Sequence, residues 1–177
     1  PAAVTMMDLS VEAETFGAPV RFEERAAPTV TDAIVRDAAE IEALAIPSLD
    51  AGRLPETLRC AELCARHIGD RPTLGGLIGP FSLACRLAGT TEMMMMTMLA
   101  PEDARRLLRK TAAFLTAYAL ALKERGIGGL LMAEPAAGLI SPEMNAAFVT
   151  PRVAEIVDAV QDAGFAFVLH NCGNTLR

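Results

Sequence analysis

The chain has 177 residues, of which 52% are hydrophobic and 21% charged, and a formal net charge of -6. That is enough apolar material for one domain with a real core, and it excludes a disordered or low-complexity chain. The acidic balance argues against a nucleic-acid partner, whose phosphates require clustered Lys and Arg.

Residues 3–7 read as a short apolar strand ending in Asp8. Glu12, Glu14 and Gly17 follow, then an extended piece around Val20-Arg21-Phe22. Thr31-Asp32 is placed to cap a helix through about Leu44, with Ile34, Val35, Ala38 and Ile41 on one face and Pro47 ending it. Pro55 starts a second helix, with Leu58, Ala61 and Cys64 inward and Gly69 at its end. Residues 73–78 make the next strand, which runs into Gly79-Pro80-Phe81-Ser82 and a helix toward Leu87. The methionines Met93 to Met96 and Met98 read as adaptable core or lining residues. Pro101, with Glu102 and Asp103 beside it, opens a long helix that Lys123, Arg125 and Gly126 close, an order that suits the helix dipole at both ends. Its buried stripe is Leu108, Leu115, Tyr118 and Leu122, and Arg105, Arg106, Arg109 and Lys110 form a solvated face. Residues 127–132 are a third strand, ending in Glu134-Pro135. Ser141-Pro142 and Thr150-Pro151 are successive cap-plus-proline starts. The second leads a helix with Val153, Ile156, Val157 and Val160 inward, ended by Gly164. A last apolar run, residues 165–169, delivers His170.

Strands alternating with helices predict a mostly parallel sheet, in which ligands bind at the carboxyl ends of the strands. Those ends carry Asp8, the Gly79-Pro80-Phe81-Ser82 turn, Glu134 and the His170/Cys172 pair. Two residues apart on a strand, His170 and Cys172 point to the same side and aim a nitrogen and a sulfur at one point, as zinc requires. Gly173 permits a tight turn just beyond them. The same two residues also fit a buried histidine with a satisfied ring and a thiol acting as a small hydrophobe. Glu134 reads as a group that orients a ligand or accepts a proton, or else as a helix-capping or salt-bridged carboxylate. Asp8 reads as a polar group lining a pocket. Gly79, Pro80 and Phe81 are candidates for contacting a cofactor, and Asn174 for holding His170 in one tautomer beside it. Gly126-x-Gly128-Gly129 precedes a strand and not a helix, so it is no dinucleotide fingerprint.

The cysteines Cys60, Cys64, Cys85 and Cys172 are too irregular for a disulfide framework, so reduced thiols and a cytoplasmic location are expected. Cys60 and Cys64 fall on an outer helix and Cys85 lies nearer the strand ends; all three read as buried structural thiols, and His67 as a surface or dipole-related residue. No stretch is apolar and charge-free enough to cross a bilayer, so no membrane partner is expected. The start at Pro1 and the stop at Arg177, directly after the candidate site, suggest a fragment. The pattern fits about half a (β/α) barrel, since a complete one has eight strands and about 250 residues.

With these residues in view, the chain resembles the uroporphyrinogen decarboxylase superfamily, and within it the zinc-dependent methyltransferases that move a methyl group between a corrinoid and a thiol such as coenzyme M. The landmarks are Met7-Asp8-Leu9-Ser10-Val11-Glu12-Ala13-Glu14, Ile78-Gly79-Pro80-Phe81-Ser82-Leu83-Ala84, Ala133-Glu134-Pro135-Ala136-Ala137, Leu139-Ile140-Ser141-Pro142 and His170-Asn171-Cys172-Gly173-Asn174. The His-x-Cys-Gly piece separates the methyltransferase branch from the decarboxylases. The resemblance implies a (β/α)8 TIM barrel of the uroporphyrinogen decarboxylase type, present here in part across residues 1–177 as one domain. It implies a barrel strand upstream of Pro1, and a third zinc ligand, a cysteine, beyond Arg177. Zinc on His170 and Cys172, a corrinoid as methyl-carrying co-substrate, a small thiol substrate and a corrinoid-protein partner follow from it. It matches Asp8 to the aspartate with which decarboxylases hold pyrrole nitrogens. The rival expectations are a metal-free tetrapyrrole decarboxylase using Asp8, and an inactive truncated barrel.

Overall fold

A computed structural model describes residues 1–172. Four parallel strands, β1 (Ala3–Val4), β4 (Thr73–Ile78), β5 (Gly129–Ala133) and β6 (Ala166–His170), form one sheet in that order. All four lie within the runs expected to form strands, or within one residue of them. β1 is the shortest, because its pairing with β4 stops at Val4–Leu74. Beyond it side chains continue the ladder: Thr5 Oγ1 accepts the Gly76 N–H at 3.0 Å, and Glu12 Oε1 the Ile78 N–H at 2.9 Å.

The register sorts the strands into two faces. Leu77, Leu130 and Met132 lie on one and are buried under helices. A Cβ at Gly75 on this face would overlap Ile127, whose neighbour there is Leu122. The other face carries Leu74, Leu131 and Val168, half-buried to exposed, and ends in the row Ile78–Ala133–His170. One face covered and one open is how an arc of a (β/α) barrel is built.

The helix layer holds α3 (Leu54–His67), α4 (Pro80–Ala88), α5 (Thr90–Leu99), α6 (Pro101–Glu124) and α8 (Thr150–Val160). Proline falls at the first or second position of α3, α4, α6 and α8, where its missing N–H leaves no bond unmade. The predicted stripe of α6 is buried. No helix among the described residues is long and apolar enough to cross a membrane.

Four details differ from the sequence reading. The extended piece near Val20 is one arm of a hairpin, β2 (Val20–Glu23) with β3 (Ala26–Val30). The helix expected from Thr31 is only α2 (Ala38–Ala43), capped by Asp37, which accepts the Glu40 N–H at 2.8 Å. Residues 34 and 35 are held out of it because both donate to the Leu87 carbonyl at the end of α4. Gly89, at φ +93°, separates α4 from α5, and Met95 and Met98 on α5 are 53% and 76% exposed, so the methionine run is core on one side only. Ser141 caps the short α7 (Pro142–Met144), but Thr150 caps nothing, because a π turn (Asn145–Val149) carries the helix straight into α8.

Gly129 sits between β4 and β6 where a methyl group would overlap the Ala166 carbonyl and crowd Leu74. Gly129→Ala is expected to destabilise the protein by about 1–3 kcal/mol, the usual range for overpacking. Urea unfolding measures it, and an unchanged midpoint would remove this packing argument.

Candidate active site

At the carboxyl end of β4 the chain turns directly into α4. Its N-cap, Gly79, has no side chain to cap with. Glu134, one residue past β5, fills the gap: Oε2 accepts the Phe81 N–H at 3.0 Å, and Oε1 accepts the Ser82 N–H at 2.7 Å and the Ser82 hydroxyl. Ser82 Oγ in turn accepts the Ala136 N–H at 2.9 Å. A Cβ at Gly79 would overlap the Glu134 carboxylate, so only glycine admits this contact. Glu134 is 1% exposed, and burial pushes its carboxyl up to about 7 against the pull of the three donors. The capping reading of Glu134 is therefore the one its geometry supports.

Gly79, Pro80 and Phe81 are buried beneath the strand ends. The Gly79 N–H donates to Ala133, the Phe81 N–H to Glu134, and the Pro80 carbonyl accepts Thr111 Oγ1. These groups serve the fold, so the turn presents no free N–H to a cofactor.

His170 ends β6 on the open face and is exposed, and its carbonyl accepts the Glu134 N–H at 2.9 Å. Cys172 is also exposed. Glu134 thus ties the His170 backbone to the start of α4. Among the described residues no three His, Cys, Asp or Glu side chains group as a metal site. Asn174 lies outside the described residues. Cys60 and Cys64 lie on α3, outside the sheet, as expected, but Cys60 is exposed and Cys64 half-buried because α3 turns them away from its core face of Leu54, Leu58 and Ala61. Cys85 is buried, and burial pushes its thiol up to about 12, which removes it as a thiolate.

Asp8 follows β1. Its Oδ1 accepts the Ser10 N–H and hydroxyl at 2.9 and 2.7 Å, and its Oδ2 accepts Arg53 Nη1 at 2.6 Å. Partial burial opposes ionisation, but the Arg53 and Ser10 bonds outweigh it and hold the carboxyl below its usual range. Arg53 also donates to Glu14 and Ser10 and lies over the Phe22 ring.

The residue that sequence reasoning passed over is Glu12, in α1 (Val11–Thr15). It is 3% exposed, burial pushes it up to about 7, and its Oε2 has no hydrogen-bond partner among the described residues. The only signal was a carboxylate set between Val11 and Ala13 in an apolar turn.

Residues 2–177 match the family described as Uroporphyrinogen decarboxylase (URO-D). The chain belongs to the uroporphyrinogen decarboxylase family. Methylcobamide:CoM methyltransferase MtbA of Methanosarcina mazei is 32% identical over 173 residues, covering 95% of this chain and 50% of that protein. Uroporphyrinogen decarboxylase of Syntrophotalea carbinolica is 31% identical over 176 residues, covering 94% and 50%. A solved structure, a methyltransferase from Methanosarcina mazei, superposes with a TM-score of 0.89 at 26% identity over 98% of this chain and 52% of that one. The chain spans about half the length of these relatives. The sheet and its helices are an arc of the family's (β/α) barrel.

Glu12 and Glu134 both hold their protons to a higher pH when folded than the ordinary 4.5. The folded state then binds more protons than the unfolded chain between pH 4.5 and about 7, so their contribution to stability is complete below 4.5 and falls as pH rises through that window. Glu12→Gln, which keeps the acceptor for Ile78, is expected to remove about half of that decline. Denaturant unfolding at pH 5 and pH 7.5 reads it, and a decline of equal size in the variant would contradict the assignment.

Proposed function

We propose that this chain forms part of a methyltransferase that moves a methyl group between a corrinoid carrier and a small thiol, with zinc bound in part by His170 and Cys172. One observation carries the reading: an exposed imidazole ends β6 on the open face of the sheet, and an exposed thiol follows two residues later in the chain. Their donor chemistry, one nitrogen and one sulfur, suits zinc and supplies two of its four positions. The remaining ligands come from outside the described residues. When bound there, the ion supplies the Lewis acidity that converts a substrate thiol into a thiolate near neutral pH. The protein's own part is position. Glu134 fixes the His170 carbonyl from one side and the first turn of α4 from the other, so the end of β6 is held before any ligand arrives. Relatives named as methyltransferases acting with methylcobamide and CoM support the reading, and with it a corrinoid protein as partner.

The alternative is a tetrapyrrole decarboxylase working through Asp8, favoured by the decarboxylase relative. Against it, both Asp8 oxygens are engaged by Ser10 and Arg53, which leaves the carboxylate poorly placed to receive pyrrole N–H groups.

The intact protein is expected to purify with zinc, and Cys172→Ala and His170→Ala each to lose the metal and thiol methylation together. Cobalt(II) in place of zinc is expected to show a sulfur-to-metal absorption band that disappears in Cys172→Ala. An intact protein free of zinc, unable to methylate a thiol and able to decarboxylate a tetrapyrrole would overturn the proposal.

A further inference from the structure

Most arginines of this chain meet a carboxylate or a carbonyl oxygen. Arg25, Arg59, Arg86 and Arg109 make no ion pair or side-chain hydrogen bond among the described residues, and of these only Arg86 is half-buried, the others being exposed. A guanidinium partly withdrawn from water with no acceptor is costly, so its place in the fold needs a reason. A basic residue in the last turn of a helix often pairs with the free carbonyls there. At the end of α4 backbone N–H groups do this instead: Gly89 takes the Cys85 carbonyl, and Ile34 and Val35 take that of Leu87.

The phase of α4 places Arg86. Spaced by three and four residues, Ser82, Cys85 and Arg86 share one face of the helix. On that face Ser82 bonds Glu134 and Ala136 at the carboxyl end of β5. Arg86 also stands near enough to Glu12 to oppose the effect of burial on its carboxyl, and Glu12 is fixed to the Ile78 N–H at the end of β4. The guanidinium therefore belongs to the rim formed by the ends of β4 and β5. The row Ile78–Ala133–His170 crosses the same rim, and two strand spacings put His170 about 10 Å from Ile78. β4 and β5 are the inner strands of the sheet, so this part of the rim lies away from both of its edges. Burial keeps the Glu12 carboxyl protonated up to about 7, which leaves Arg86 without a full counter-charge.

We propose that Arg86 receives the anionic end of the thiol substrate, a carboxylate or sulfonate, while the sulfur reaches toward His170 and Cys172. The inference rests on the methyl-transfer reading and adds to it the charge of the acceptor and the residue that selects it. A guanidinium presents paired N–H groups in one plane, which match two oxygens of such an anion, and the anion brings the counter-charge that the fold leaves out. A compact thiol with its anion a few bonds from the sulfur suits the short distance along the rim. A neutral thiol leaves Arg86 unpaired, and a cationic one meets repulsion.

Binding and turnover of the intact protein test this separately. By calorimetry, ethanesulfonate or propionate is expected to bind saturably, and ethyl methyl sulfone, a neutral counterpart, more weakly by about tenfold or more. Arg86→Gln is expected to weaken anion binding by about the same factor, and Arg86→Lys, which keeps the charge and loses the planar fork, by less. In methyl-transfer assays the preference in kcat/KM for 2-mercaptoethanesulfonate or 3-mercaptopropionate over 2-mercaptoethanol is expected to shrink by about tenfold in Arg86→Gln. A partly folded variant lowers both thiols together without moving that ratio, so the ratio reads the folded molecules alone. Neither anion bound by the intact protein, anion binding undiminished in Arg86→Gln, or no preference for an anionic thiol would overturn the inference and leave methyl transfer in place. Ethanesulfonate bound through Arg86 in an intact protein that methylates no thiol would uphold the anion site and overturn the methyl-transfer reading.

Discussion

One buried carboxylate holds the carboxyl end of the sheet together. Glu134 leaves β5, crosses to the adjacent unit and caps α4, while its own N–H holds the last carbonyl of β6. Three successive β–α units of the arc thus meet at one residue. The contact exists because Gly79 has no side chain: the position that would normally supply its own cap borrows one from the next strand. Such a network is strong only when complete, since each donor facing Glu134 would be left buried and unpaired without it. The chemistry proposed for His170 rests on this scaffold.

The strands were legible because each is a short apolar run closed by turn residues, and in a parallel sheet covered by helices that pattern has few other uses. Long helices were legible from proline starts and the stripe of α6. What the sequence hid was tertiary. Nothing local says that Ile34 and Val35 will bond Leu87 and leave the helix, or that β3 will return beside β2. The site divided in the same way. His170 and Cys172 were visible as residue types at a spacing, and capping was one of the readings open for Glu134, but which helix it caps needed Gly79, Phe81 and Ser82 to arrive from a distant part of the chain. Glu12 was invisible because its partner is a backbone N–H on β4.

The two buried carboxylates show how one residue type takes opposite roles. Glu134 has a donor for each oxygen, and among the described residues Glu12 has a donor for only one. Desolvation acts on both alike and raises both to about 7, so protonation alone does not distinguish them. The distinction lies in unfilled hydrogen-bonding capacity, and that is a property of the assembled neighbourhood.

The π turn at Asn145–Val149 places one more residue in its winding than an α-helix would. Each residue of an α-helix advances it by about 100°. Deleting one residue here would let the segment wind as plain α-helix with Val153, Ile156 and Val160 facing nearly as they do now, whereas winding every residue present as α-helix would turn them by about 100° relative to Phe148. The wider turn therefore absorbs a surplus residue and keeps the face that α8 presents to α6.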